Sequence, residues 1–130
     1  LPEELEKQGL WEALLQLVRK LNRNTPVKWA LTLPHNPPRF DAKTEFELYS
    51  IVLELTNNVL KHAQANTCDI VCKRIDDKWH ITVSDNGVGM AEKRVNGKGM
   101  QSVESRVKSL NGKISISSQA GEGTRFEVWV

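Results

Sequence analysis

Apolar residues recur along this chain in two different periods, and each change of period marks a new element. Leu10, Leu14, Val18 and Leu21 stand three or four apart, with Trp11, Leu15 and Leu17 widening the stripe. That spacing predicts an amphipathic helix over residues 10–22, ended by residues 22–26. Residues 27–33 read as a strand. Pro34, Pro37 and Pro38 follow, and because proline lacks an amide donor and has a fixed φ they forbid both helix and central strand. The stretch is expected to be an ordered linker. A long helix is predicted from Lys43 or Thr44 to about Ala63. Thr67–Ile75 and residues 78–84 are β-rich and separated by Asp76-Asp77, the pattern of an antiparallel hairpin. After a glycine-rich loop, Met100, Val103, Val107 and Leu110 mark another helix, stopped by Asn111-Gly112. Two last strands, about 113–118 and 124–130, meet at Ala120-Gly121-Glu122-Gly123. Helices with an antiparallel or mixed sheet, and no repeated strand-helix-strand crossover, predict an α+β chain folded as a two-layer α/β sandwich.

Composition narrows the reading. With 130 residues, 39% hydrophobic and 26% charged, the chain suits one water-soluble domain, 1–130, around one core. Its 18 basic and 16 acidic side chains are scattered without a basic block, so nucleic acid is not expected as a partner. No apolar run approaches the roughly 20 residues of a membrane span, and the first ten residues lack the plan of a signal peptide. A cytoplasmic location is expected for this piece, with membrane anchoring of the full-length protein left open. The start at Leu1 suggests a piece of a longer protein. Cys68 and Cys72 would stand roughly 13 Å apart along a strand. A disulfide tolerates at most about 7 Å between Cα atoms. They share parity with Ile70 and read as small core residues, compatible with a reducing compartment.

Three places could carry chemistry. On the long helix, Glu47, Glu54, Asn58 and Lys61 fall in one stripe, with Tyr49, Val52, Thr56, Val59 and Ala63 opposite. The stripe is the pattern of a solvated face; it is also an acid, a carboxamide and a lysine that could serve a nucleotide and a hydrated magnesium ion, which needs few protein ligands. At the end of the hairpin, Asp85 shares parity with Trp79, Ile81 and Val83, so its carboxylate should point inward and need donors such as an exocyclic amine. Asp85-Asn86-Gly87 is equally good turn chemistry. Thr124 shares parity with Phe126, Val128 and Val130, so a second polar group converges on the same interior. Gly97-Lys98-Gly99 precedes a helix, where free amides and the helix dipole favour phosphate. Six of the eight glycines lie in three loops around this region, and residues 90–96, with Lys93 and Arg94, could close over phosphates.

Four segments in order, Glu54-Leu55-Thr56-Asn57-Asn58-Val59-Leu60-Lys61-His62, Asp85-Asn86-Gly87-Val88-Gly89, Gly97-Lys98-Gly99-Met100 and Gly121-Glu122-Gly123-Thr124, resemble the boxes of the Bergerat-fold ATP-binding family. That family joins histidine kinases to gyrase, Hsp90 and MutL. The wording Lys61-His62-Ala63, the short lid and Gly99-Met100-Gln101-Ser102-Val103 look most like sensor kinases that partner NarL-type response regulators. Residues 5–21 resemble the stretch that follows the dimerisation helices there, so residues 1–22 would hold the tail of that connection. The resemblance implies a mixed, mostly antiparallel sheet with helices on one face, and ATP and Mg2+ as ligands. It makes Asn58 the magnesium ligand, Asp85 the acceptor of the adenine amine and Thr124 its support. Lys61, His62, Met90, Lys98 and Met100 would line the nucleotide, and Gly87, Gly89, Gly97 and Gly99 would shape the lid. Glu54 and Asn58 would be catalytic, Glu54 polarising a metal-bound water or the attacking group. The implied reaction is γ-phosphate transfer to a histidine on a dimerisation domain outside this chain, in a full-length homodimer. No histidine here fits the acceptor: His35 lies among prolines, His62 belongs to the first box and His80 to a strand. A gyrase-type ATPase, an anti-sigma-factor serine kinase and a degenerate, non-catalytic module are the alternatives.

Overall fold

The computed structural model describes residues 2–91, 95 and 97–130. Lys93 and Arg94, expected to cover phosphates, lie outside the described residues. In chain order the elements are α1 (Glu3–Gln8), α2 (Leu10–Asn24), β1 (Lys28–Thr32), α3 (Ala42–Asn58) with a π-helical turn (Val59–Ala63), β2 (Thr67–Ile75) and β3 (Lys78–Asp85). After these come α4 (Lys98–Ser109), β4 (Lys113–Gln119) and β5 (Gly123–Trp129).

The five strands form one sheet in the order β1-β2-β3-β5-β4. β1 runs parallel to β2, and the other neighbours are antiparallel. Period-two alternation puts Cys68, Ile70, Cys72, Ile81, Val83, Phe126 and Val128 on one face, none more than 2% exposed. Against them pack Leu10 and Leu14 of α2, Leu48, Ile51, Val52 and Leu55 of α3, and Val103 and Val107 of α4. Burial of this apolar face, at about 25 cal/mol per Å², is what holds the two layers together. The opposite face carries the exposed Lys28, Asp69, Lys73 and Arg125. His80 and Thr82 depart from simple alternation: they lie on that opposite face yet are 5% and 4% exposed. β3 is a central strand, and Trp129 of neighbouring β5 stacks on the His80 ring at 3.8 Å. Cys68 and Cys72 are free and buried, and burial pushes both thiols up to about 12, so they are inert core residues.

Two differences from the sequence reading concern helix ends. α1 has no counterpart in the apolar pattern. Gly9, at φ 91°, breaks it from α2, and a side chain there would run into that of Arg39. The predicted helix over 44–63 is α-helical only to Asn58, and its last five residues form the π turn, which ends in Gln64 at φ 52°. There the Ala63 carbonyl accepts the Val88 amide at 2.7 Å, so the turn widens where the chain after β3 docks on it.

The proline linker is ordered, as expected. The Trp11 Nε1–H donates to the Pro38 carbonyl at 2.7 Å, and Trp11, Phe40 and Trp79 form a cluster of tilted and T-shaped ring pairs with centroids 5.4 to 5.9 Å apart. Beside them Glu45, 3% exposed, accepts from Arg39 at 3.1 and 3.0 Å and from the amides of Phe40 at 3.2 Å and Leu10 at 3.4 Å. One carboxylate on α3 thus ties down the linker and the start of α2. Asp41 caps α3 by accepting the Thr44 amide at 2.8 Å.

Candidate functional site

The C-terminal end of α3, its π turn, the end of β3 and the start of β5 converge at one end of the sheet. They enclose a cavity lined by Asn58, Val59, His62, Ala63, Asp85, Gly89, Met90, Thr124 and Phe126. Asp85 and Thr124 are register partners on adjacent strands, which is why two polar groups 39 positions apart face one interior. The Asp85 Oδ1 accepts the Gly87 amide at 2.8 Å. Burial pushes the Asp85 carboxyl above its ordinary range, against the opposing pull of the Gly87 and Thr124 amides. A half-buried acceptor with unspent capacity is suited to a neutral donor such as an exocyclic amine.

The glycines earn their places unequally. Gly87 is buried with its α-carbon against the Ala63 carbonyl, so any Cβ would overlap that oxygen. Gly87→Ala is therefore expected to push the loop off the π turn and abolish nucleotide binding, with a lowered melting temperature; parent-like titration and melting would refute this. Gly89, at φ 88°, leaves no room for a Cβ beside the Gln119 carbonyl at 2.5 Å. Gly97 is the N-cap of α4, and no side chain among the described residues caps it. The space a Cβ would take on Gly99 is bordered at 3.8 Å by both the Asn58 Oδ1 and the Glu54 Oε1. Two oxygens of α3 therefore converge on the open start of α4.

The other expected residues separate. Met90 lines the cavity, and Met100, 2% exposed, accepts the Asn58 Nδ2–H through its sulfur at 3.5 Å. Lys61 and Lys98 are exposed and neither lines the cavity. Glu47, on the same stripe as Glu54, instead accepts from Arg106 at 2.8 Å and Ser109 at 3.0 Å, fastening α4 to α3. Opposite that stripe, Tyr49, Val52, Thr56, Val59 and Ala63 are all buried. Free space in the cavity is about 20 Å³, the room of one water, so a larger ligand enters only with movement of the lining side chains.

Ser118 was missed by reading the sequence. Its Oγ accepts the Met90 amide at 2.6 Å and lies 3.0 Å from the Thr124 Oγ1. The signal was there: Ser118 shares parity with Ile114 and Ile116, so a polar residue at the strand's end faces inward.

Residues 43–130 match the family described as histidine kinase-, DNA gyrase B-, and HSP90-like ATPase. Among curated proteins the chain is 27% identical to the sensor histidine kinase ComP of Bacillus subtilis and 29% identical to the nitrate/nitrite sensor protein NarQ of Escherichia coli. Those alignments cover 98% and 95% of this chain but only 17% and 22% of the relatives, so the chain spans about a fifth of their length. The histidine kinase domain of an Erythrobacter litoralis blue-light activated kinase superposes with a TM-score of 0.80 at 17% identity, over 93% of this chain and 60% of that one. The chain thus belongs to the histidine kinase-, DNA gyrase B- and HSP90-like ATPase family, as an ATP-binding catalytic domain of the histidine kinase kind.

Proposed function

We propose that residues 1–130 are one catalytic domain that binds ATP with Mg2+ and passes the γ-phosphate to a histidine on a dimerisation domain of the same protein. The observation that carries this reading is the meeting of Asn58 and Glu54 oxygens at Gly99, beside a cavity that holds an acceptor, Asp85, and a hydroxyl, Thr124. The base would sit in the cavity at the ends of β3 and β5, where Asp85 accepts its amine. Asn58, with one neutral oxygen facing the start of α4, suits a magnesium ion that keeps most of its waters. That ion, when bound, would neutralise charge on the transferring phosphates. Amides at the start of α4, Gly97 to Gly99, would donate to phosphate oxygens. Lys61, Lys98 and His62 would serve the phosphates as cationic or hydrogen-bonding groups, and Glu54 would polarise the attacking group or a metal-bound water.

The acceptor lies outside this chain. His35 is exposed in the proline linker, His62 lines the cavity and His80 is buried in β3. Alignment of an incoming imidazole nitrogen with the γ-phosphate is then the main contribution of the site. Residues 1–22 serve as the end of the connection from the dimerisation domain, and the protein works in the cytoplasm as a homodimer that phosphorylates a NarL-type response regulator. Similarity to NarQ, a nitrate/nitrite sensor, and to NreB of Staphylococcus carnosus, an oxygen sensor kinase, supports this partner class.

Isothermal titration with a non-hydrolysable ATP analogue, with and without magnesium and with a GTP analogue as control, tests the reading. Saturable binding selective for adenine, followed by transfer to a separately added phosphoacceptor domain, is the expected result. Asn58→Ala is expected to erase the gain in affinity that magnesium brings, leaving the metal-free affinity in place. If magnesium strengthens binding in that variant as it does in the parent, Asn58 is not the ligand. Absence of binding by the folded parent would favour a degenerate module.

A further inference from the structure

We infer that Ser118 is a positioning residue that sets base selectivity: its proton fixes the Thr124 hydroxyl as a hydrogen-bond donor toward the base. The inference rests on the nucleotide reading of the cavity. A serine hydroxyl has one proton and two lone pairs. One lone pair of the Ser118 Oγ is taken by the Met90 amide at 2.6 Å. Its proton has two acceptors in range, the Thr124 Oγ1 at 3.0 Å and the Gly123 carbonyl at 3.5 Å. O–H···O hydrogen bonds cluster at about 2.5 to 3.0 Å, so the Thr124 Oγ1 is the better placed of the two acceptors, and we assign it the proton.

Thr124 has then accepted one hydrogen bond and keeps its own proton for whatever occupies the cavity it lines. It is 4% exposed, so bulk water does not satisfy it. Its register partner Asp85, when ionised, only accepts. Side by side the two residues present an acceptor and a donor. Adenine offers the complement, an amine that donates next to a ring nitrogen, N1, that accepts. Guanine offers a carbonyl and an N1–H, the reverse at both positions, and a site built to hydrogen-bond one pattern rejects the other because buried groups are left unpaired. Without the Ser118 hydroxyl, the Thr124 rotor is free to turn a lone pair to the base, and the pattern is no longer enforced.

Titration of the parent and Ser118→Ala with ADP, GDP and 1-deaza-ADP, in which carbon replaces N1, tests this. Ser118→Ala is expected to weaken ADP about tenfold, the worth of one ordered hydrogen bond, and to narrow the ADP-to-GDP ratio by a similar factor. Its affinity for 1-deaza-ADP should match the parent's, since that ligand has no acceptor to lose. Ser118→Thr, which keeps the hydroxyl on a β-branched side chain suited to a strand, should restore the parent's pattern and serves as the test if the alanine variant does not fold. Equal weakening of ADP and 1-deaza-ADP would mean that Ser118 only braces the loop at Met90, and unchanged ADP affinity would also overturn the inference. A folded parent that takes up no ADP would sink the nucleotide reading and this inference together.

Discussion

Asp85→Asn is expected to weaken ATP binding by about two orders of magnitude while leaving the fold at least as stable as the parent. The carboxylate already accepts the Gly87 amide at 2.8 Å, and the Thr124 amide also lowers its pKa. An asparagine must spend its single oxygen on those amides, which turns its own NH2 toward the base. The adenine amine then meets a donor instead of an acceptor. Loss of a charge-assisted hydrogen bond together with an unpaired buried donor is worth about 2 to 3 kcal/mol, which converts to the expected drop in affinity. Stability moves the other way. Burial raises the folded pKa of Asp85, so the group stabilises the fold fully only below its unfolded pKa and loses that contribution as pH rises through the folded one. Asparagine carries no charge to desolvate, so the fold should be no less stable. Calorimetric titration and a thermal melt check both halves: parent-like affinity would mean that the base does not sit at Asp85, and a melting temperature well below the parent's would make Asp85 a structural residue.

Glu45→Ala should give the largest loss of stability, about 2 to 3 kcal/mol, or roughly 10 °C in melting temperature for a chain of this size. The substitution strips the acceptor from the buried amides of Leu10 and Phe40 and from Arg39. Breaking a fully buried ion pair costs about 3 to 5 kcal/mol, but the Arg39 side chain is 53% exposed and can turn to water, which reduces the figure. The acid limb carries a second signature. Burial works to raise the Glu45 carboxyl, but the hydrogen bonds from Arg39, Phe40 and Leu10, with the charge of Arg39, hold it below its ordinary range. A depressed folded pKa contributes stability above the unfolded value, near pH 4.5, and that contribution is lost as pH falls below it toward the folded pKa. Glu45→Gln should flatten this part of the pH profile. A melt of Glu45→Ala within 2 °C of the parent would show that the linker and α2 are held by the Trp11, Phe40 and Trp79 cluster instead.

Much of the architecture was legible because burial imposes its own period on a sequence. The hairpin of β2 and β3 was predicted within a residue, since Cys68, Ile70, Cys72, Ile81 and Val83 had to share a face. α2, β1 and the start of α3 were legible for the same reason, helped by prolines that allow few alternatives. His80 was not legible as buried, because the Trp129 ring stacked on it comes from a neighbouring strand placed by sheet order. α1 was also missed: six residues with only Leu5 buried give no repeat to read.

For the site, the sequence by itself determined the inventory: Asn58, Asp85 and Thr124 in order, among glycines whose spacing matches one ATP-binding family. Strand parity, a local property, also pointed Asp85 and Thr124 inward, while Asp85-Asn86-Gly87 stayed equally readable as a turn. The tertiary structure decided which members meet. It brought Glu54 and Asn58 against Gly99, sent Glu47 of the same stripe to Arg106 and Ser109, and left Lys61 and Lys98 off the cavity wall. It replaced the last turn of a predicted α-helix with a π turn, and it made Ser118 a partner of Met90 and Thr124. These are contacts between segments distant along the chain, and their geometry depends on sheet order and loop docking. Local periodicity carries the direction of a side chain but not the identity of what it meets.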